Sequence, residues 1–232
     1  MMLPYSPSTV AEAILALLDV AAAERGRATL AIPGGRSPGP VLTHLARICD
    51  PFVRSRLSLL WLDERAVPIG HADRNDATTL AAWDVGGPRP AAVLAMPAEQ
   101  TDLDSAAEHY ADQLKHATED GILDVCLIGL GEDGHLASLF PRHDGLRELS
   151  DCFAVVDSPK PPARRLTLSL PVISRARARL VLGLGAAKAW THVAWRNSPD
   201  PFCPASLLPK SGTYWYLDDA AAASINGETP PG

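Results

Sequence analysis

The sequence lacks any close pair of cysteines. Its four cysteines, at positions 49, 126, 152 and 203, are scattered over 232 residues with no Cys-x-x-Cys spacing. It also lacks a His-Glu-x-x-His segment and any other recognisable cluster of metal ligands. These absences argue against a disulfide framework and against a zinc site. We therefore expect reduced structural thiols, a cytoplasmic location, no metal and no cofactor.

Long hydrophobic runs and an excess of positive charge are lacking as well. The apolar stretch near the N-terminus carries Glu12 and Asp19 and follows no basic segment, so it predicts neither a signal peptide nor a membrane span. The formal net charge of −6 disfavours nucleic acid or an anionic membrane surface as the main partner. A small phosphorylated ligand is compatible with this charge, because it needs only a local positive pocket.

The sequence does contain a regular alternation of short apolar segments with amphipathic ones. The apolar segments predict strands at 29–32, 57–62, 123–128, 152–156, 165–170, 179–184 and 213–217. The amphipathic segments predict helices at 10–24, 38–48, 75–83, 101–117 and 186–195. This order predicts one α/β domain over 1–225, with three layers (α/β/α) around a largely parallel, Rossmann-like sheet. Residues 226–232 are expected to form a disordered tail.

A glycine-containing segment, Pro33 to Pro38, joins the first of these strands to a helix. Gly34 and Gly35 expose backbone N–H groups toward the helix N-terminus, and Arg36 and Ser37 add side-chain donors. Such a turn is typical of a phosphate site. An ordinary strand-to-helix turn fits the segment equally well, and the Gly-Lys-Ser/Thr of a nucleotide-binding loop is missing. Ser37 and the proline after it are predicted to be the N-cap and first residue of the helix.

Charged residues stand at two further positions where a buried element ends or a helix begins. Asp63-Glu64-Arg65 follows a buried strand, and these side chains cannot enter the core unpaired, so they face either solvent or a site. Lys188 lies in the first turn of a predicted helix, where the helix dipole disfavours a cation unless an anion is bound. A solvated surface lysine explains Lys188 equally well. Asn75 is predicted to cap the helix that it begins.

The segment Leu123–Pro141 carries the strongest signal in the chain. An apolar strand runs into Gly129-Leu130-Gly131-Glu132-Asp133-Gly134-His135, which matches the G-x-G-x-x-G fingerprint of dinucleotide sites. Two carboxylates in that loop would repel a pyrophosphate, and the helix-like stretch after His135 is stopped at Pro141, too early for a crossover helix. We therefore favour the hypothesis that Asp133 and His135 form an acid–base pair at a strand end.

Taken together, these segments resemble the 6-phosphogluconolactonase family, which is related to the glucosamine-6-phosphate isomerases. PGGRSP is similar to that family's Ser-Gly-Gly-x-Thr-Pro loop, and WLDERAVP to its Trp-x-Asp-Glu-Arg-x-Val-Pro segment. LIGLGEDGHLASLFP is similar to Gly-x-Gly-x-Asp-Gly-His-x-Ala-Ser-Leu-Phe-Pro. The segments RLTLSLPVI, GAAKA, PASLL and WYLDDAAA also resemble the family, so the likeness spans nearly the whole chain in the right order.

The resemblance implies a sugar-phosphate isomerase-like fold and a specific reaction. That reaction is hydrolysis of 6-phospho-D-glucono-1,5-lactone to 6-phospho-D-gluconate in the oxidative pentose phosphate pathway, without metal or cofactor. The implied catalytic residues are His135 as general acid/base, Asp133 and Arg65. The implied substrate-binding residues are Gly34, Gly35, Arg36, Ser37, Asp63, Gly131 and Lys188. The only partner expected is the small-molecule substrate, for a monomer or weak homodimer that binds neither nucleic acid nor membrane.

Two alternatives and two departures accompany this resemblance. In the sister isomerase/deaminase branch the segment is DGHIAFNEP-like, with a glutamate just before the proline, whereas this sequence has Phe140 there. The second alternative is a non-catalytic sugar-phosphate sensor, which usually carries a DNA-binding module that we do not expect in this chain. Pro33 replaces the family's usual serine, and Arg74-Asn75-Asp76 replaces its usual Ser-Asn-aromatic.

Overall fold

The computed structural model describes residues 1–118 and 121–226. The strands are β1 (Met2–Pro4), β2 (Ala28–Ile32), β3 (Leu57–Trp61), β4 (Asp63–Arg65), β5 (Ala92–Leu94), β6 (Val125–Gly129), β7 (Cys152–Val155), β8 (Arg165–Leu168), β9 (Ala178–Gly183) and β10 (Thr213–Leu217). The helices are α1 (Pro7–Arg25), α2 (Gly39–Ile48), α3 (Pro51–Arg54), α4 (Asn75–Gly86), α5 (Leu103–Ala117), α6 (Leu170–Arg175), α7 (Ala189–Asn197) and α8 (Asp219–Asn226). Short 3₁₀ turns cover 144–147, 186–188 and 204–207.

Seven strands form the central sheet, in the order β1-β10-β9-β6-β2-β3-β5, and every pairing in it is parallel. Its inner strands are almost entirely buried, as continuous apolar runs in a parallel sheet covered by helices must be. The predicted α/β fold with a largely parallel sheet is therefore confirmed. None of the helices within 1–118 and 121–226 is long and apolar enough to cross a membrane.

A second, smaller sheet joins β4, β8 and β7 in antiparallel fashion. Asp63–Arg65, which follow the predicted strand 57–62, form strand β4, which continues from β3 after Leu62 and pairs with β8 instead of the central sheet. The register aligns Arg65 with Arg165 and Asp63 with Thr167. The sequence pattern predicted β7 and β8 but not β4, and it could not predict this pairing, because β4 and β8 lie about a hundred residues apart.

The strand order places a topological switch point between β2 and β6. From β2 the chain proceeds to β3 and β5 on one side, and it returns through α5 to β6 on the other side of β2. The loops that leave the carboxyl ends of β2 and β6 therefore diverge and open a crevice between them. Ligands of open α/β sheets bind in such crevices.

Several local predictions were wrong. The N-cap of α2 is Pro38 rather than Ser37. Asn75 is the first residue of α4 and not its cap, because the Glu64 carboxylate accepts hydrogen bonds from the first two backbone N–H groups of that helix, at 2.7 and 2.9 Å. Residues 135–141 form turns rather than a short helix, with Ala137 at φ +49°.

Two further boundaries differ from the predicted ones. The helix predicted at 186–195 is a 3₁₀ turn followed by α7, so Lys188 precedes the α-helix instead of lying in its first turn. Strands β1, β4 and β5 were not predicted, because three residues are too few for a periodic pattern. The predicted tail, 226–232, lies outside the described residues apart from Asn226, where α8 ends. That residues 1–225 form a single domain stays a prediction.

Candidate active site

A cavity of about 290 Å³ opens at the switch point between β2 and β6. Its lining includes every substrate-binding residue that the sequence predicted: Gly34, Gly35, Arg36, Ser37, Asp63, Gly131 and Lys188. Of the three predicted catalytic residues, His135 and Arg65 line the cavity, and Asp133 lies directly behind His135. The structure thus brings together residues from four separate segments of the chain, although the role of each stays a prediction.

The loop after β6 folds back on itself and presents the His135 ring to the cavity. The N–H of Gly131 donates to the carbonyl of His135 at 2.9 Å, and Gly134 adopts φ +79°. A Cβ on Gly131 would lie 2.0 Å from Nδ1 of His135, so only glycine allows the ring to pack against this backbone. The loop leads into turns and not into a helix, which argues against a dinucleotide site.

The Asp133 carboxylate fixes the tautomer of the His135 ring. Nδ1 of His135 lies 2.5 Å from Oδ1 of Asp133, and because a carboxylate only accepts, Nδ1 carries the proton and donates it. Nε2 is then the nitrogen with a free lone pair, and it can accept a proton from a ligand or a water molecule. The arrangement has the geometry of a general base with an orienting acid.

Burial of the ring and the charge of Lys160 together favour the neutral form of His135. Burial lowers the pKa of His135, and it outweighs the hydrogen bond that the ring donates to Asp133, which raises the pKa. The nearby Lys160 ammonium lowers it further. Burial raises the pKa of Asp133, but the hydrogen bond with His135 and the ion pair with Lys160 prevail and lower it overall. At neutral pH the pair is therefore a neutral imidazole beside an ionised carboxylate.

The glycine loop after β2 supplies one positive wall of the cavity. Gly35 adopts φ +86°, a conformation that favours glycine, and the loop turns its backbone toward the start of α2. Arg36 and Lys188 both line the cavity, and neither has a carboxylate partner among the described residues. Both positive charges are available to an anion, and the donors of this wall suit a phosphate.

A second wall comes from β4, where Asp63 and Arg65 face the cavity. Oδ2 of Asp63 accepts a hydrogen bond from the buried Ser138 hydroxyl at 2.7 Å. Nη1 of Arg165 lies 3.9 Å from the same oxygen. Nη1 of Arg65 donates to the carbonyl of Asp73 at 2.9 Å. Nε of Arg65 has no hydrogen-bond partner within the described part of the chain. The Asp63 carboxylate is thus held in place as an acceptor, and the Arg65 guanidinium keeps N–H donors that no described residue uses.

Sequence reasoning missed four residues of this region. Arg165 lines the cavity, Ser138 and Asn75 bond to Asp63, and Lys160 contacts Asp133. Arg165 looked like an ordinary strand residue, since only the β4–β8 pairing brings it to the site. Ser138 lies between His135 and Pro141, and nothing in that sequence context indicates that it bonds to Asp63.

The charged side chains that line the cavity are mostly cationic. Within 1–118 and 121–226, no group of three or more His, Cys, Asp or Glu side chains is arranged to hold a metal ion. The cavity instead carries four cationic side chains, Arg36, Arg65, Arg165 and Lys188, against one buried carboxylate. This balance suits an anionic ligand.

Over nearly its whole length, the chain is similar to proteins of one family. Residues 7–215 match the family model of glucosamine-6-phosphate isomerases/6-phosphogluconolactonase. A 6-phosphogluconolactonase of Streptomyces coelicolor is 36% identical, with 94% of this chain and 89% of that protein covered. A 6-phosphogluconolactonase of Mycobacterium leprae is 35% identical, with 90% of each chain covered.

A solved structure is similar as well. The 6-phosphogluconolactonase of Thermotoga maritima matches with a TM-score of 0.80, over 94% of this chain and 98% of that one. The two sequences are 23% identical, so this likeness supports the fold alone.

Proposed function

The chain belongs to the glucosamine-6-phosphate isomerase/6-phosphogluconolactonase family, and we propose that it hydrolyses 6-phospho-D-glucono-1,5-lactone to 6-phospho-D-gluconate in the oxidative pentose phosphate pathway. The observation that carries this proposal is the hydrogen-bonded pair of His135 and Asp133, set in a cavity with four cationic side chains. A lactone is an activated ester, so its hydrolysis needs only a base for water, donors for the oxyanion and an acid for the leaving oxygen.

The substrate phosphate is proposed to bind at the glycine loop. Backbone N–H groups of Gly35 and its neighbours, the Ser37 hydroxyl, and the charges of Arg36 and Lys188 would surround it. Pro33 stands where the family usually has a serine, so these donors act without that hydroxyl. The sugar ring would then extend toward Asp63, whose carboxylate can accept hydrogen bonds from ring hydroxyls.

His135 is proposed to move the protons of the reaction. Nε2 accepts a proton from a water molecule as the water oxygen attacks C1 of the lactone, and a tetrahedral oxyanion forms. The imidazolium then donates that proton to the ring oxygen as the bond between this oxygen and C1 breaks. The ring opens to a hydroxyl and a carboxylic acid, which ionises. Asp133 stabilises the imidazolium in between, because its carboxylate accepts from Nδ1.

Arg65 is proposed to stabilise the oxyanion. Its guanidinium lines the cavity, and Nη2 makes no hydrogen bond with the described residues, so this donor is free for the transition state. One well-placed donor of this kind is worth about 3–4 kcal/mol in a dry site.

The isomerase/deaminase alternative is disfavoured by Phe140. The position at which that branch carries a glutamate is here a buried aromatic ring, whose centroid lies 4.9 Å from that of His135. Without a carboxylate at that point, His135 has no second proton carrier on its Phe140 side for ring opening and isomerisation.

We further propose a cytoplasmic location and a monomer or weak homodimer with no partner besides its substrate. All four cysteines are free and buried, and they fit a reducing compartment.

The proposed function is tested with a substrate panel. Freshly generated lactone is supplied, and release of 6-phosphogluconate is followed with a coupled dehydrogenase, against the spontaneous rate without protein. Fructose 6-phosphate and glucosamine 6-phosphate are the controls for the isomerase/deaminase branch. We expect turnover of the lactone alone; isomerisation or deamination without lactone hydrolysis would overturn the proposal.

A further inference from the structure

Lys160 contacts the His135–Asp133 pair from outside the cavity. It lies in the loop between β7 and β8, with Nζ 3.1 Å from Oδ2 of Asp133 and 3.4 Å from Nδ1 of His135. Since Nδ1 already donates to Asp133, the contact between the ammonium and the ring is electrostatic. Lys160 contacts the ring at Nδ1, and Nε2 is the nitrogen available to a ligand, so Lys160 acts on His135 from the side away from the ligand.

The backbone of Lys160 is fixed, which distinguishes this contact from a chance surface pair. The Ser158 hydroxyl accepts from the N–H of Lys160 at 3.2 Å and donates to its carbonyl at 2.8 Å. Nη2 of Arg165 donates to the same carbonyl at 2.8 Å. Because Arg165 also lines the cavity, the loop that carries Lys160 is anchored to the site itself.

A histidine that shares a proton with a carboxylate faces a difficulty as a base. The carboxylate favours the imidazolium form, and an imidazolium cannot accept a proton from water. A cation that also pairs with the carboxylate weakens its preference for the imidazolium form, and it repels a positively charged ring.

Resting on the proposed lactonase function, we propose that Lys160 is a positioning residue. Its ammonium holds the Asp133 carboxylate toward Nδ1 of His135 and opposes protonation of the ring, so that Nε2 stays free to accept a proton in mildly acidic solution. It touches neither substrate nor reacting atoms, and its effect passes through Asp133 and His135.

Other charges face His135 and must be separated from this effect. Asp133 and Asp63 favour the protonated ring, and burial and Lys160 oppose it. The cavity also holds the charges of Arg36, Arg65, Arg165 and Lys188. Apart from Lys160 itself, all of these groups are present in both the parent and a variant of Lys160, so the comparison isolates the effect of Lys160.

The proposal is tested with Lys160→Met, Lys160→Arg and the control Lys115→Met, which removes an exposed lysine on α5 paired with Asp112 at 3.6 Å. The kinetic constants kcat and KM are each measured over a range from acidic to alkaline pH. For Lys160→Met we expect kcat/KM to fall about twofold to fivefold at acidic pH, the range of a half-exposed ion pair, with less than about a twofold change at pH 8. KM should stay unchanged, and Lys160→Arg and Lys115→Met should behave as the parent.

A loss of the same size at every pH, or a raised KM, would overturn the proposal, because either result would make Lys160 a structural or substrate-binding residue. High salt should shrink the acidic effect, since the pair is partly exposed. If Lys160→Met fails to fold, Lys160→Gln provides the same test.

A measurement without turnover separates this proposal from the proposed function. The His135 ring is titrated by NMR in the parent and in Lys160→Met, and its signal is assigned as the one absent from His135→Asn. We expect the ring to protonate at a higher pH in Lys160→Met. An unchanged titration would overturn the inference even in an active lactonase, and a shifted one would support it even if the lactone is not the substrate.

Discussion

The side-chain amide of Asn75 fills the space that a side chain at position 34 would need. A Cβ on Gly34 would lie 1.8 Å from Oδ1 of Asn75, far inside van der Waals contact. The same amide donates from Nδ2 to the backbone carbonyl of Asp63 at 2.9 Å. Asn75 therefore joins the glycine loop to β4, which form two walls of the cavity.

We predict that Gly34→Ala displaces Asn75 and separates these walls. Overpacking of this kind costs about 1–3 kcal/mol of unfolding free energy, and the displaced loop should raise KM several-fold. Urea unfolding and lactonase kinetics measure the two effects. Gly39→Ala is the matched control, because a Cβ there meets only Cβ of Ala82, at an ordinary 3.7 Å. Equal behaviour of the two variants would contradict this role of Asn75.

We predict that Ser138→Ala weakens the orientation of Asp63. The buried hydroxyl donates to Oδ2 of Asp63 at 2.7 Å, and its loss leaves a buried carboxylate with one donor fewer. The expected cost is about 1–3 kcal/mol of unfolding free energy, together with a raised KM. Ser150→Ala, which removes an exposed hydroxyl bonded to Glu148, is the control. If Ser138→Ala matched this control in both measurements, the hydrogen bond to Asp63 would have no part in the site.

From the burial of His192 we predict how the free energy of unfolding depends on pH. It is buried between the rings of Trp195 and Trp215, at centroid distances of 5.8 and 5.2 Å. Burial is the main cause that lowers its pKa to about 4, and the charges of Arg196 and Lys210 act in the same direction. Between that value and 6.5 the unfolded chain binds a proton that the folded chain excludes, so stability falls as the pH falls.

We therefore expect the free energy of unfolding of the parent to decrease between pH 7 and pH 5 by about 2 kcal/mol more than that of His192→Phe. Urea unfolding at the two pH values measures the difference. His109→Phe, on the exposed face of α5, is the control and should follow the parent. A parent and a His192→Phe chain with parallel pH dependence would show that His192 is not held neutral.

The sequence predicted the parts of the site that stand at the ends of parallel strands. Gly34–Ser37 and Gly131–His135 follow β2 and β6, and the local pattern indicated a strand-end loop at each. That the two loops line one site was implied by the resemblance, because the order of the strands in the sheet is not a local property. Arg165 could not be predicted in the same way, because its position depends on the antiparallel pairing of β8 with β4. Turn geometry limited the prediction too: the predicted helix after His135 is a series of turns, and only these turns bring Ser138 to Asp63.

The fold class was predictable for a related reason. Buried parallel strands appear as continuous apolar runs, and such runs separated by amphipathic helices admit few architectures. Capping was less predictable. Glu64 lies eleven positions before Asn75 and caps α4 with its carboxylate. No local sequence signal distinguishes such a helix from one that is capped by the residue directly before it.

The central claim is that Nε2 of His135 accepts the proton in lactone hydrolysis. The most direct test is the enzymatic rate of lactone hydrolysis above the spontaneous rate, for the parent, His135→Ala and the exposed control His116→Ala. We predict a loss of kcat of at least about a hundredfold for His135→Ala, the range for removal of a general base, and an unchanged rate for His116→Ala. Near-normal turnover by His135→Ala, with the chain folded, would contradict the account.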